Sequence, residues 1–355
     1  MTLTELTNDA IFLLKKLIEI ESFSSDEDRT ASLIEDWFKR YKVDYKRTKN
    51  NVWAVNKNFD ESKPTLLLNS HHDTVKPNAA YTKDPFKAIV EDGKLYGLGS
   101  NDAGGCLVSL IAVFTYFYNE SDLKYNLVIV ASAEEESSGP DGLNSMLSVI
   151  PKVDVAIVGE PTLMNLAIAE KGLVVFDAKV TGTPSHAAHP NENNCIYNSI
   201  KVLQWFKDFK FEKSSEVLGD VKLTVTQING GTQHNAVPAE VYLVIDVRVN
   251  DKYSNREIVE ILQKQAPCNS ITPRSLRLNS SSIPVNHELV KAGIAIGRST
   301  YGSPTLSDQA VLTCPSLKLG PGDSTRSHSA DEFIYINEIE EGIKIYVELL
   351  NRVIT

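Results

Sequence analysis

Three short apolar runs in the first half of the chain, Thr65–Asn69, Asn126–Ala133 and Asp154–Val158, are each one strand long, and each leads at once into acidic or imidazole side chains. Continuous apolar runs of this length, separated by helical patterns, are the mark of strands buried on both faces of an α/β sheet. The helical patterns are present. Asp26–Tyr41 places Leu33, Ile34, Trp37, Phe38 and Tyr41 on one face, and Ile11, Leu14, Leu17 and Ile18 recur at helical spacing near the start. A late run, Pro315–Leu319, returns to the strand pattern, and Ile336–Val353 closes the chain with a helical one.

The middle of the chain has a different texture. Leu173–Val180, Val221–Ile228 and Glu240–Val249 alternate or are rich in β-formers, a fourth strand fits near Ile271–Leu278, and helices fit Asn194–Phe209 and Asn255–Gln265. That order, strand–helix–strand–strand–helix–strand, is ferredoxin-like. The expected architecture is therefore two-domain: a mixed-sheet α/β domain of residues 1–165 and 277–355, interrupted by an inserted α+β domain of residues 166–276. A length of 355 residues agrees with about two domains.

Composition narrows the partners. With 36 Lys and Arg against 46 Asp and Glu, the formal charge is −10, which disfavours non-specific binding to nucleic acid or anionic membranes. No stretch reaches the ~18 apolar residues of a membrane span, and the Ala10–Ile20 run is broken by Lys15, Lys16 and Glu19 and preceded by Asp9, unlike a signal peptide. Four scattered cysteines without a C-x-x-C pair suit a reduced, cytoplasmic protein.

Open α/β sheets place ligands beyond the carboxyl ends of their strands. Here those ends carry His71-His72-Asp73, Glu134-Glu135-Glu136 and Glu160-Pro161; Asp102 follows the turn Gly97–Asn101, and His328 follows Leu319–Gly322. Each piece alone has a bland reading: a surface turn, a solvated acidic loop, a strand exit. Their recurrence at successive strand ends does not. Two imidazoles with several carboxylates form a hard-to-borderline nitrogen and oxygen donor set suited to Zn²⁺, Co²⁺ or Mn²⁺, with acids enough for two ions. Gly97-Leu98-Gly99 followed by Asp102 lacks the third glycine of a dinucleotide fingerprint, no Gly-x-Ser-x-Gly elbow exists, and Cys106 reads as a buried helix start.

Ser70–Val75, Tyr96–Asp102, Ala133–Glu136, Val158–Thr162, Gly182–His186, Asn235–Pro238, Asp246–Arg248 and His328–Glu332 together resemble the motifs of the co-catalytic zinc amidohydrolases. That group contains acetylornithine deacetylase, succinyl-diaminopimelate desuccinylase, aminoacylase and carboxypeptidase G. The resemblance runs through nearly the whole chain in the same order. It implies that His71 and Glu160 hold one ion, Glu136 and His328 the other, and that Asp102 bridges them. It further implies that Asp73 orients His71, that Glu135 is the general base, and that His186, on the inserted lid, serves the active site of a partner subunit in a homodimer formed through that domain. Ser70, Leu98, Ala103-Gly104 and Glu134 depart from the usual Gly, Arg, Met-Lys and Asp. These changes bear on the surroundings of the site and leave its ligands in place.

The reaction implied is hydrolysis of the amide of an N-acyl amino acid. Arg248 is the first candidate receptor for the substrate α-carboxylate, since a guanidinium fork matches a carboxylate. Asn235 would lie beside the reacting carbonyl, and Gly322, in Gly320-Pro321-Gly322, would offer a backbone N–H; Lys171 and Arg326 are secondary candidates. His189, His234 and His287 are read as structural or solvent-facing. Thr74 and the Glu-Glu-Glu-Ser run look closest to acetylornithine deacetylase. A desuccinylase or a di- or tripeptidase is the alternative within the group, and a non-catalytic metal-binding protein is the alternative outside it.

Overall fold

The computed structural model describes residues 2–355. It separates into two compact units, one of residues up to 168 with 282–301 and 307–355, the other of residues 169–281 with 302–306.

In the first unit α1 (Leu3–Ile18) and α2 (Asp28–Arg40) precede an edge hairpin, β1 (Tyr45–Thr48) and β2 (Asn51–Val55), and then β3 (Thr65–His71). Two short strands, β4 (Ile89–Glu91) and β5 (Lys94–Tyr96), lead through a tight turn into α3 (Gly105–Phe117). β6 (Asn126–Ser132), the short helix α4 (Leu143–Met146), β7 (Val155–Val158) and β8 (Leu166–Glu170) follow. The expected strands at 65–69, 126–133 and 154–158 are thus present within one or two residues, and the helix expected over 26–41 is α2.

The large sheet is mixed. β3 pairs parallel with both β6 and β7, Leu66 facing Leu127 on one side and Val155 on the other. The late strand β17 (Ser316–Lys318) adds parallel to β7, and β2 adds antiparallel to β6. Four parallel strands therefore end at one edge. Both faces are covered, which is why β3 and β6 are buried at every position and read as unbroken apolar runs. Leu66 and Leu68 point into the main core with α1, α2, α3 and the C-terminal helix α8 (Ile336–Ile354), while Leu67 packs with Trp53, Val128, Met146 and Ile150 on the other face. α3 is apolar on all sides and buried at every position except Tyr116, as a helix enclosed by a sheet and two other helices must be.

The second unit carries β9 (Gly172–Thr181), α5 (Cys195–Asp208), β11 (Lys222–Asn229), β13 (Glu240–Val249), α6 (Asn255–Gln265) and β14 (Ser270–Pro273), with a two-residue ribbon of β10 (Ser185–His186) and β12 (Ala236–Val237). Its antiparallel sheet runs β11-β13-β9-β14, the ferredoxin-like order read from the sequence. β9 alternates buried and less buried residues, sending Val174, Phe176, Ala178 and Val180 into a core with Leu243, Ile245, Phe206 and Leu262. The last strand is shorter than expected. It stops at Pro273, which has no N–H to continue the ladder, and the Asn255 side chain donates to the carbonyls of Leu276 and Leu278 beyond it.

Short strands β15 (Ser281–Ser282) and β16 (Thr300–Ser303), helix α7 (Glu288–Ala295) and strand β18 (Phe333–Tyr335) complete the elements. β18 pairs with β5, which brings the chain just after His328 beside the turn before α3. The strand expected over 315–319 is β17, and the closing helix expected over 336–353 is α8.

Candidate metal centre

The parallel register decides what meets at the sheet edge. His71 ends β3 opposite Ser132 at the end of β6, and the next residues of each chain segment are His72-Asp73 and Ala133–Glu136. Glu160 follows β7 by two residues, and His328 is reached after β17. Asp102 enters from the turn before α3. That turn depends on Gly99, whose φ of +73° suits glycine and whose added Cβ would lie 2.5 Å from Thr74 Cγ2.

Donor atoms of His71, Asp102 and Glu136 lie within 4.8 Å of one another. His71 Nε2 is 3.3 Å from Asp102 Oδ1 and 3.9 Å from both Glu135 Oε2 and Glu160 Oε1. His328 Nε2 is 3.0 Å from Glu136 Oε2 and 3.6 Å from Asp102 Oδ2. The two oxygens of Asp102 thus face two different histidines. The structure gathers all five residues expected to hold metal, together with Glu135, in one unit.

The ring orientation of His71 is fixed from behind. Its Nδ1 donates to the Asp73 backbone carbonyl at 3.0 Å, with the Asp73 carboxylate at 3.4 Å, so the lone pair of Nε2 faces the acids. Asp73 was expected to orient the imidazole through its carboxylate. The nearer acceptor is its carbonyl; the carboxylate instead receives the N–H groups of Glu135 and Glu136, both at 3.1 Å, and the Ser24 hydroxyl at 2.7 Å. Adjacent residues on a strand point to opposite faces, which would part Glu135 from Glu136. β6 ends at Ser132, however, and Glu134 adopts a φ of +56°, so the two acids are parted by a turn built on Asp73.

The electrostatics show an excess of acid. Burial and the neighbouring Asp102 push the Glu160 carboxyl up to about 8, and burial with the charges of Glu160, Asp308 and Glu136 drives Glu135 well above the usual range, against the pull of His71. The hydrogen bond to Glu136, outweighing burial, lifts His328 to about 9. Carboxylates crowded to this degree either keep protons or share cations. The donor set passes the chemical test for a divalent ion: imidazole nitrogen with an open lone pair, several carboxylate oxygens, and spacings that ligand bonds of ~2 Å close with small side-chain movements.

Residues not anticipated from the sequence surround this cluster. Glu332 is buried and accepts the N–H groups of Gly99, Asn101 and Asp102. Asp308, lifted to about 6 by burial, accepts the Ser132 hydroxyl at 2.6 Å. Ser25 donates to Glu134 at 2.7 Å. No spacing rule marks such residues; only Glu332 falls inside a motif that drew attention.

The candidate substrate residues are placed as follows. Gly322 is buried with a φ of +90° against Asn101, whose side chain pairs with both backbone polar groups of Asp323. His186 pairs with Ala236 across the small ribbon of the second unit, and Ala187 N–H donates to the Asn235 carbonyl, so those two motifs are brought together there. Both side chains are exposed. Arg248 spends Nε and Nη2 on its strand neighbour Asp246, at 2.9 and 3.1 Å. Arg326 is likewise held by Glu338 through two hydrogen bonds, and Lys171 donates to the Asp220 carbonyl. His287 caps α7. Cys106 is buried at the start of α3, its thiol donating to the Pro321 carbonyl.

Comparison with known proteins identifies the family of the chain. The profile of "Peptidase family M20/M25/M40" matches residues 67–352. The succinyl-diaminopimelate desuccinylase of Rickettsia akari (strain Hartford) is 25% identical over 97% of this chain and 100% of its own length. The acetylornithine deacetylase of Proteus mirabilis (strain HI4320) is 28% identical over 80% of this chain and 78% of its own. Among solved structures, a tripeptidase from Staphylococcus aureus superposes with a TM-score of 0.77 at 20% identity, covering 98% of both chains. A Bacillus subtilis protein described as a dinuclear metal-binding peptidase of the M20 family superposes with a TM-score of 0.75 at 14% identity, again over 98% of each chain. The chain belongs to peptidase family M20/M25/M40 and is a metal-dependent amidohydrolase.

Proposed function

We propose that this protein removes the acyl group from an N-acylated amino acid, with N-acetylornithine, and so arginine biosynthesis, as the first assignment. The convergence of His71, Asp102, Glu136, Glu160 and His328 around Glu135 carries the reading. Removal of a succinyl group from a diaminopimelate derivative is the second reading, favoured by the desuccinylase relative that matches over its whole length. Both substrates are acylated diamino acids, so the amine side of the pocket is the shared feature. The division of labour proposed is His71 and Glu160 for one ion, Glu136 and His328 for the other, and Asp102 for both. Zinc is the first choice; cobalt and manganese suit the same donors.

Two divalent ions would supply Lewis-acid polarisation of the acyl carbonyl and of the attacking water. The chain does the rest. Glu135, held at the site by a backbone bond to Asp73, takes the proton of the attacking water as oxygen adds to the acyl carbon. The same carboxyl then delivers that proton to the nitrogen of the breaking C–N bond, so the amine leaves neutral, the acyl group leaves as a carboxylic acid and the Glu135 carboxylate is regenerated. His186 and Asn235 supply hydrogen-bond donors to the developing oxyanion, and the free Nη1 of Arg248 takes part in holding the α-carboxylate. Gly322 contributes a backbone N–H.

The second unit would act as the lid and dimerisation domain. On α5 the side chains of Ile196, Tyr197 and Ile200 are 42%, 69% and 62% exposed, and β11 is an edge strand whose outer half is exposed. An apolar helix face beside a free strand edge fits a homodimer through this unit, with each lid bringing His186 to its partner's site. All four cysteines are free, in keeping with a reducing, cytoplasmic setting, and no helix among the described residues is long and apolar enough to cross a membrane.

The test is amine release from a panel of N-acetyl and N-succinyl diamino acids and dipeptides, with and without a chelator. Chelator-sensitive turnover of N-acetylornithine is expected. Turnover of the succinyl substrates alone selects the second reading, and cleavage of dipeptides alone rejects both.

A further inference from the structure

We propose that Glu332 is a positioning residue for metal binding: its buried carboxylate gathers the backbone N–H groups of Gly99, Asn101 and Asp102 and thereby sets where the Asp102 side chain stands between His71 and His328. The inference rests on the reading of Asp102 as the shared ligand.

The geometry is specific. Glu332 is 1% exposed, and Oε1 accepts from Asn101 N at 2.8 Å and Asp102 N at 2.9 Å while Oε2 accepts from Gly99 N at 3.2 Å. Its own carbonyl accepts from Gly97 N at 3.0 Å. One residue thus ties four backbone N–H groups of the turn that carries Asp102, none of which has a helix or sheet partner of its own. Asp102 itself has φ −117° and ψ 97°, outside the helix that follows, so local helical geometry does not fix it. Glu332 lies four residues after His328, and the adjacent acid Asp331 points elsewhere, accepting the N–H groups of Thr82 and Lys83. The segment that begins at His328 is therefore anchored on two sides, and the Glu332 anchor runs straight to Asp102, which His328 faces. Outer partners of this kind hold metal ligands in register, and their loss typically weakens metal affinity ~10–100-fold.

The test uses full-length protein and zinc alone, with affinity and stoichiometry measured by competition against a chromophoric chelator. Glu332→Ala removes all the side-chain acceptors. Glu332→Gln keeps a carbonyl for Asn101 and Asp102 but sets an amide N–H against that of Gly99, a milder lesion expected to fold. Zinc affinity should fall in the order wild type, Gln, Ala, by ~10-fold or more for Ala, with kcat falling more than KM. Leu349→Ala, in the core on α8, serves as a variant of comparable thermal destabilisation that should bind zinc normally. Wild-type zinc binding by folded Glu332→Gln overturns the proposal, as does an equal loss in Leu349→Ala. If Asp102→Ala also binds two zinc ions normally, the shared-ligand reading itself falls; if it loses them while Glu332→Gln does not, only Glu332 is misassigned.

Discussion

The Ser24 hydroxyl donates to Asp73 Oδ2 at 2.7 Å, joining the link between α1 and α2 to a carboxylate 49 residues further on. Through that carboxylate the link bears on the Glu135-Glu136 turn, because Asp73 also accepts both of their N–H groups. Ser24→Ala should lower kcat several-fold and the melting temperature by a few degrees, as loss of one hydrogen bond to a charged group costs ~1.5–3 kcal/mol. Steady-state kinetics beside a thermal melt checks this, and an unchanged kcat would show that the strut is dispensable.

Glu136 stands 3.0 Å from His328, while Glu135 stands 3.9 Å from His71, as Glu160 does, so it is the proposed roles that part the base from the ligands. Glu135→Gln should therefore keep its metal and lose ~10²–10⁴-fold in kcat. Metal analysis of the purified variant separates the two roles, and loss of an ion would move Glu135 among the ligands.

If the lid works in trans, two dead proteins can make a live one. Mixing His186→Ala with Glu135→Ala under subunit exchange should restore up to about a quarter of wild-type activity, the share that random pairing gives to one intact site. Ile200→Glu, on the exposed face of α5, should shift sedimentation toward the monomer and abolish the rescue. Failure of rescue in a mixed dimer that sediments normally would sink the trans assignment of His186.

The capping of α6 predicts an acid-sensitive step in the second unit. Glu257 accepts the Ser254 backbone N–H and pairs with Lys213, and these bonds bring its carboxyl down to about 2. A depressed folded value means stability that is present above the unfolded value near 4.5 and lost as pH falls toward 2. The melting temperature of Glu257→Gln should lie below wild type at pH 6, and the gap should close as pH is lowered through that window. A gap independent of pH would refute the assignment.

Much of this was legible because periodicity and strand-end chemistry are local. The buried runs that became β3, β6 and β7 announce themselves as continuous apolar stretches, and His71, Glu136 and Glu160 stand directly after them. The ferredoxin-like order of the second unit was equally plain from alternation, as in β9. What could not be read is what depends on tertiary pairing. The edge hairpin β1–β2 has few apolar residues on its outer strand, and β4, β5 and β18 are three residues each, too short to carry a period. Ser24 and Glu332 are polar residues in connecting segments whose roles exist only once distant partners arrive beside them, the Asp73 carboxylate for one and the backbone N–H groups of the Asp102 turn for the other. The exit from β6 is a different case. Alternation applies to strands, and the strand had already ended.

The cluster draws His71, Asp102, Glu136 and Glu160 from the first half of the chain, and His328 from near its end. During synthesis the growing polypeptide carries the four earlier residues long before the histidine that faces Asp102 and Glu136 has left the ribosome. A nascent chain paused before β17 would thus hold a half-built, strongly acidic patch with one imidazole. On the proposed ligand assignment, stable loading of two ions would follow the arrival of the segment that carries His328.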